Sequence, residues 1–246
     1  EIGVCVAIAD GIDTLVGIFG VGMHPTGSKD PFALRTASLS ILRILIEKAY
    51  FLDLRELVDF AIDGFSDDLL DSGTSTAVLK YIIDRLPTYY DENNFSVEIF
   101  RSVSALDIYC PFDIDLRVKA VAHFSTLPIS ESLAVANKRV TNILSKVDES
   151  EFLMEINEDL FSTEFEVRLA ADLRLVKEAC LDLILKKDYG AALEQLSMLD
   201  APLADFFENV MVNSEDPALR ANRIRLLKSV HEQFLKVADI SQLAGK

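Results

Sequence analysis

Asp10 and Asp13 stand three residues apart in an apolar stretch, so on a helix they share a face and can offer two carboxylates to a divalent cation. Two carboxylates without histidine partners hold a metal weakly, and His24, nearby, adds a single imidazole. Helix capping or salt bridging is the competing reading. Gly20-Val21-Gly22 and Gly27-Ser28-Lys29 bear a superficial likeness to a phosphate cradle. That chemistry needs the full glycine-rich run ending in Gly-Lys-Ser or Gly-Lys-Thr, after a strand, and neither condition is met. A tight turn that lets two helices meet closely is the alternative. The three histidines are His24, His123 and His231. His123 lies in the apolar run Val121-Ala122-His123-Phe124, and His231 lies on the packing stripe of the last helix; both read as structural. No Gly-x-Ser-x-Gly elbow exists to support a hydrolytic triad. No catalytic, cofactor-binding or metal-ligating residue is assigned.

Contact with RNA is the remaining chemistry. Arg117, Lys119, Lys138, Arg139 and Lys146 flank the second half of the chain, and Arg220, Arg223, Arg225 and Lys228 mark its final helix. Arg220 and Arg223, three apart, can grip adjacent phosphates with planar forks of donors. Asn137 carries an amide that can read a base edge while Lys138 and Arg139 hold backbone, and unstacked loop bases are the usual target of such readout. A solvated helix face is the plain alternative for each charge run. The formal net charge of −16 argues against a general nucleic-acid binder, because phosphate contacts need cations. It leaves room for a local basic strip on an acidic body.

The elements that must hold these residues read as helices nearly throughout. The expected fold class is all-α. Residues 3 to 19 place Ile8, Ile12, Leu15 and Phe19 at helical spacing. Gly20 to Lys29 reads as a loop, and Asp30-Pro31 as a helix start. Residues 34 to 48 are apolar over much of their surface and should be central. Further helices are expected at 53–65, 76–90 with Pro87 kinking or ending it, and 95–106. The segment 109–115 reads as a domain boundary. Beyond it, helices are expected at 116–125, at 133–147 with Ser130 or Ser132 as cap, and at 164–187, 189–199, 202–212 and 217–240. Residues 148 to 161 are acidic and irregular, with one short helix.

Half of the 246 residues are hydrophobic, ample for one or two cores. Because no run of 18 apolar residues is present, no membrane span is expected, and no charged leader precedes an apolar stretch as in a signal peptide. Cys5, Cys110 and Cys180 are too scattered for a disulfide framework and read as buried thiols in a reducing compartment.

The run from residue 9 to 22 (ADGIDTLVGIFGVG), followed by 25 to 35 (PTGSKDPFALR), resembles the beta subunit of the bacterial two-subunit glycyl-tRNA synthetase. Matching runs follow in order at 115–124 (DLRVKAVAHF), 134–144 (AVANKRVTNIL), 206–212 (FFENVMV), 219–227 (LRANRIRLL) and 234–240 (FLKVADI). The resemblance covers essentially the whole chain and is to the C-terminal end of that subunit, which implies a C-terminal piece. It implies the end of an HD-like helical domain and its connecting helices at 1–106, then an anticodon-binding helical bundle at 107–246. Asp10 matches the late aspartate of the HD-like pattern, whose upstream histidines are absent here, so no hydrolase site assembles. The family commonly has Lys where this chain has Gly11. The implied role is binding tRNA(Gly) while the alpha subunit, which holds the ATP and Mg, performs ATP-dependent glycylation. The implied partners are tRNA(Gly), the alpha subunit and the remainder of the beta subunit, in the cytoplasm, with no membrane and no cofactor in this chain. A structural scaffold without RNA contact is the rival, and a remnant metal-dependent phosphohydrolase a second.

Overall fold

The computed structural model describes residues 2–25, 30–66, 69–148 and 155–245. Among them the regular structure is helical, as expected, with no strand. The helices fall into two compact units, residues 1–100 with 107–115, and residues 101–106 with 116–246.

The first unit is built around α1 (Ile2–Gly20), which packs on α2 (Leu34–Glu47), α3 (Leu54–Ile62) and α4 (Thr74–Ile83). Ile8, Ile12, Leu15, Val16 and Phe19 form its buried face. By length and mean hydropathy α1 is apolar enough to cross a membrane, although no uninterrupted apolar run predicted it. Asp10 and Asp13 interrupt it, and its inward face is spent on core packing, as a core helix requires. Gly11 faces α2 so closely that a Cβ there would sit 3.0 Å from Ile41 Cδ1. At Gly20 a Cβ would overlap the Leu70 side chain. Both glycines therefore serve close approach. Gly22 takes φ 74°, and Gly27-Ser28-Lys29 lie outside the described residues.

Three expected boundaries move. Asp30 does cap α2, accepting the Leu34 and Arg35 amides at 2.9 Å each, but α2 begins at Leu34. Ala33 adopts φ 54°, which places Pro31 and Phe32 in a turn ahead of the helix. Pro87 neither kinks nor ends a helix. The chain breaks at Asp84 and Arg85, and Pro87 stands in the first turn of α5 (Leu86–Glu92), where its missing N–H costs nothing. The third is the start of the helix expected at 116–125, since α7 (Pro111–Phe124) already begins at Pro111, again with proline in the first turn. α6 (Val97–Ser104) and α7 each span residues of both units.

The second unit contains α8 (Ile129–Leu144), α9 (Glu164–Leu185), α10 (Tyr189–Ser197), α11 (Asp200–Asn209) and α12 (Pro217–Leu235). α8 packs on α11, α12 and the closing 3₁₀ turn Ile240–Leu243, while α9 packs on α10, α11 and α12. Neither Ser130 nor Ser132 caps α8; Ser130 Oγ donates to the Leu127 carbonyl instead. α9 starts with a capping box, Thr163 with Glu166. Asp216 caps α12 ahead of Pro217. Of the acidic stretch, residues 149–154 lie outside the described residues, and Glu158–Leu160 form a 3₁₀ turn. Cys180 is buried as expected, Cys110 is half-buried, and Cys5 is exposed.

Candidate nucleic-acid interface

The ten residues expected at an RNA contact separate by burial. Arg117, Asn137 and Arg223 are inside the second unit, which corrects their reading as surface contacts. Arg117 donates to the carbonyls of Lys236 and Val237 at 2.7 and 2.8 Å and to the Tyr189 hydroxyl at 2.8 Å, with its guanidinium 4.1 Å from the Tyr189 ring centroid. Those carbonyls lie just past the end of α12, where helical partners run out, so Arg117 supplies donors they need. Asn137 Nδ2 donates to the Leu133 carbonyl one turn back.

Arg223 is the centre of a buried cluster. Its Nε donates to Glu166 Oε1 at 2.8 Å, one terminal nitrogen to the Met211 carbonyl at 2.9 Å, and the other to Ser162 Oγ at 2.7 Å. Glu166 Oε2 accepts the Ser162 and Thr163 amides at 3.0 and 2.9 Å. Burial alone would raise the Glu166 pKa, but Arg223, the Thr163 hydroxyl and the Ser162 amide together hold it below the usual carboxylate range. A cation so committed is a structural one. Asn222 beside it pins the strand of chain before Glu158, accepting the Asn157 amide at 2.8 Å and donating to its carbonyl at 2.9 Å.

The other seven lie at the surface or partly so. Lys119, Arg139 and Lys146 are exposed; Lys138, Arg220, Arg225 and Lys228 are half-buried. Lys138 Nζ donates to the Ala244 and Gly245 carbonyls at 3.2 and 3.1 Å, tying α8 to the end of the described chain. Lys228 pairs with Glu232 at 3.8 Å. On α12, Arg225 points about 140° around the axis from Arg220. The ten therefore do not form one exposed strip.

Arg139 lines a surface cleft. A cleft of about 580 Å³ runs between α8 and α11, lined by Pro128, Glu131, Ser132, Val135, Ala136 and Arg139 from one side and Ala204, Phe207 and Glu208 from the other. The Arg139 guanidinium lies 4.2 Å from the Phe207 ring centroid. Ser132 Oγ donates to Asp200 at 2.8 Å across the same pair of helices.

In the first unit, Asp10 and Asp13 are exposed and line an apolar groove of about 560 Å³ with Cys5, Ile8, Leu52, Leu57 and Phe60. No cluster of three or more metal-ligating side chains occurs among the described residues. His24 packs edge-on against Phe19. His123 is exposed rather than enclosed, and His231 is half-buried on α12.

Residues 1–105 match the family described as glycyl-tRNA synthetase beta subunit, and residues 133–242 match that described as DALR anticodon binding domain. The chain belongs to the glycyl-tRNA synthetase beta-subunit family. It is 46% identical over 241 residues to the glycine–tRNA ligase beta subunit of Pseudomonas aeruginosa, covering 98% of this chain and 35% of that protein. The Ectopseudomonas mendocina beta subunit is 45% identical over the same coverage, and that of Colwellia psychrerythraea 44% identical over 243 residues. The chain thus spans about a third of the length of these relatives.

The sequence reading missed Phe207, Glu131 and Glu208 as cleft walls. Phe207 lay in a quoted motif, but nothing local pairs it with Arg139 on another helix. The signal that exists is weak: Glu131, Val135 and Arg139 recur at four-residue spacing, which sets all three on one face of α8.

Proposed function

We propose that this chain is the tRNA-recognising part of a glycine–tRNA ligase beta subunit. On this reading residues 107–246 engage the anticodon arm of tRNA(Gly). Residues 1–106 are the end of an HD-like domain with its connecting helices. The observation that carries the reading is the match of residues 133–242 to an anticodon-binding family on a wholly helical unit. Glycylation itself, with its ATP and Mg, belongs to the alpha subunit, and the chain alone charges no tRNA. Its partners are tRNA(Gly), the alpha subunit and the rest of the beta subunit, and it works in the cytoplasm without a membrane or a cofactor of its own. Lys119, Lys138, Arg139, Lys146, Arg220, Arg225 and Lys228 supply the RNA contact, while Arg117, Asn137 and Arg223 support it from within. Footprinting of tRNA(Gly) with the chain at low salt tests this. Protection confined to the anticodon arm is expected; no binding to tRNA(Gly) overturns it.

A scaffold reading is favoured by one observation, the apolar groove of the first unit with Phe60 81% exposed at its edge. Loss of alpha-subunit capture on Phe60→Asp, with tRNA affinity intact, would support an assembly role for that unit.

A further inference from the structure

We infer that the α8–α11 cleft is a pocket for one unstacked nucleobase, packed against Arg139 and Phe207, and not a phosphate clamp. The inference rests on the tRNA-binding reading and assigns a specific pocket within it. Four observations carry it. The cleft, at about 580 Å³, falls within the range of small-ligand sites. Its walls are largely apolar, with Val135 56% exposed and waiting for a cover. The Arg139 guanidinium is already in π contact with Phe207, so a planar cation and an aromatic ring stand together at the wall, the pair on which splayed-out bases stack. Finally, two exposed carboxylates, Glu131 and Glu208, line the same cleft.

Those carboxylates decide the ligand chemistry. A phosphate entering beside two carboxylates meets like charge at close range. A base edge carrying an exocyclic amino group meets acceptors instead, the pairing that carboxylates make with amino donors. The pocket therefore prefers cytosine, adenine or guanine over uracil. Arg139 acts through its flat delocalised face, which Lys does not possess.

The test uses the full chain and tRNA(Gly) transcripts carrying 2-aminopurine at each anticodon-loop position in turn. One position is expected to change emission on binding as the base leaves its own stack for the protein. Arg139→Lys keeps the charge, so a stacking role predicts roughly fivefold weaker binding, the low end of base–aromatic stacking, with loss of that emission change and an unaltered salt dependence. Phe207→Leu should do the same in smaller degree, and Glu131→Gln should narrow the penalty for uracil at the reporting position. Thermal melts of the variants confirm that each is folded. Retained affinity in Arg139→Lys, with the salt slope of Arg139→Ala reduced by about 1, marks a phosphate contact and overturns the inference. So does loss of alpha-subunit capture with tRNA affinity intact, which marks a protein-docking cleft. Failure of the unaltered chain to bind tRNA(Gly) overturns the functional reading and this pocket together.

Discussion

Arg223 shows how one residue can be right in type and different in task. Its position in the final helix is where a phosphate contact was expected, three residues after Arg220. Burial and the Glu166 carboxylate convert it into an internal tie between α12 and the start of α9. Nothing in the local sequence separates these outcomes, because Glu166 is distant in the chain. The consequence is a pH signature. The Glu166 pKa is lowered on folding, so its contribution is complete above the unfolded value near 4.5 and is lost as pH falls through the folded one. His231 is different. Burial outweighs the opposing pull of Asp239 and Glu232 and lowers its pKa from 6.5, so stability begins to fall on acidification at a higher pH, once the unfolded imidazole protonates. Urea midpoints measured from pH 8 downward should fall first below about pH 6.5, then again below about pH 4.5. His231→Gln should remove the first step and Glu166→Gln weaken the second. A single carboxylate-range transition in the unaltered chain would count against the His231 assignment.

At the scale of elements, helix existence was legible and helix boundaries were less so. Hydrophobic spacing located α1, α2, α9 and α12, because each packs one face and the period records it. Proline was misread at Pro87 and under-read at Pro111, since the same ring that ends a helix in its interior opens one in its first turn. The reason for Gly11 was invisible as well. Its cost to helix propensity, about 1 kcal/mol, is legible in sequence, whereas the proximity of Ile41 is not. Gly11→Ala should gain that propensity and lose a similar or larger amount to overpacking, of order 1–3 kcal/mol. Ile41→Val removes the Cδ1 in the way. The double variant should be more stable than the sum of the two singles, by thermal melt, and strict additivity would show that α1 and α2 accommodate the methyl freely. Arg117 is the other element-level device, since it finishes the C-terminus of α12 from α7. Arg117→Met should cost about 3 kcal/mol or more in chemical denaturation, because charged hydrogen bonds are lost and one buried and one partly buried carbonyl are left bare. A cost within 0.5 kcal/mol would mean solvent replaces it.

The whole molecule is strongly acidic, and seven surface cations carry the proposed RNA contact within a net charge of −16. On the proposed reading, that balance would suppress loose association with arbitrary RNA while leaving a local contact intact. It also bounds the salt dependence. With Arg117 and Arg223 withdrawn into the core, the slope of log K against log salt for tRNA(Gly) should be no steeper than about −6. A slope near −10 would require cations that these seven do not supply. Another consequence follows from the two helices that span both units. Ser102, upstream of residue 106, accepts the Asp239 amide in the second unit, and Tyr109, downstream, accepts the Leu54 amide in the first. Expressing 1–106 and 107–246 as separate polypeptides would strip each of a piece that the other carries. Each half alone should show broadened, low-temperature melting, and mixing the two should restore a sharper transition. An evolutionary shuffling event that sought to move the portion matching the anticodon-binding family to a new host would face the same obstacle. It would have to carry the overlap from about residue 101 onward, and the donor left behind would need a substitute for residues 107–115.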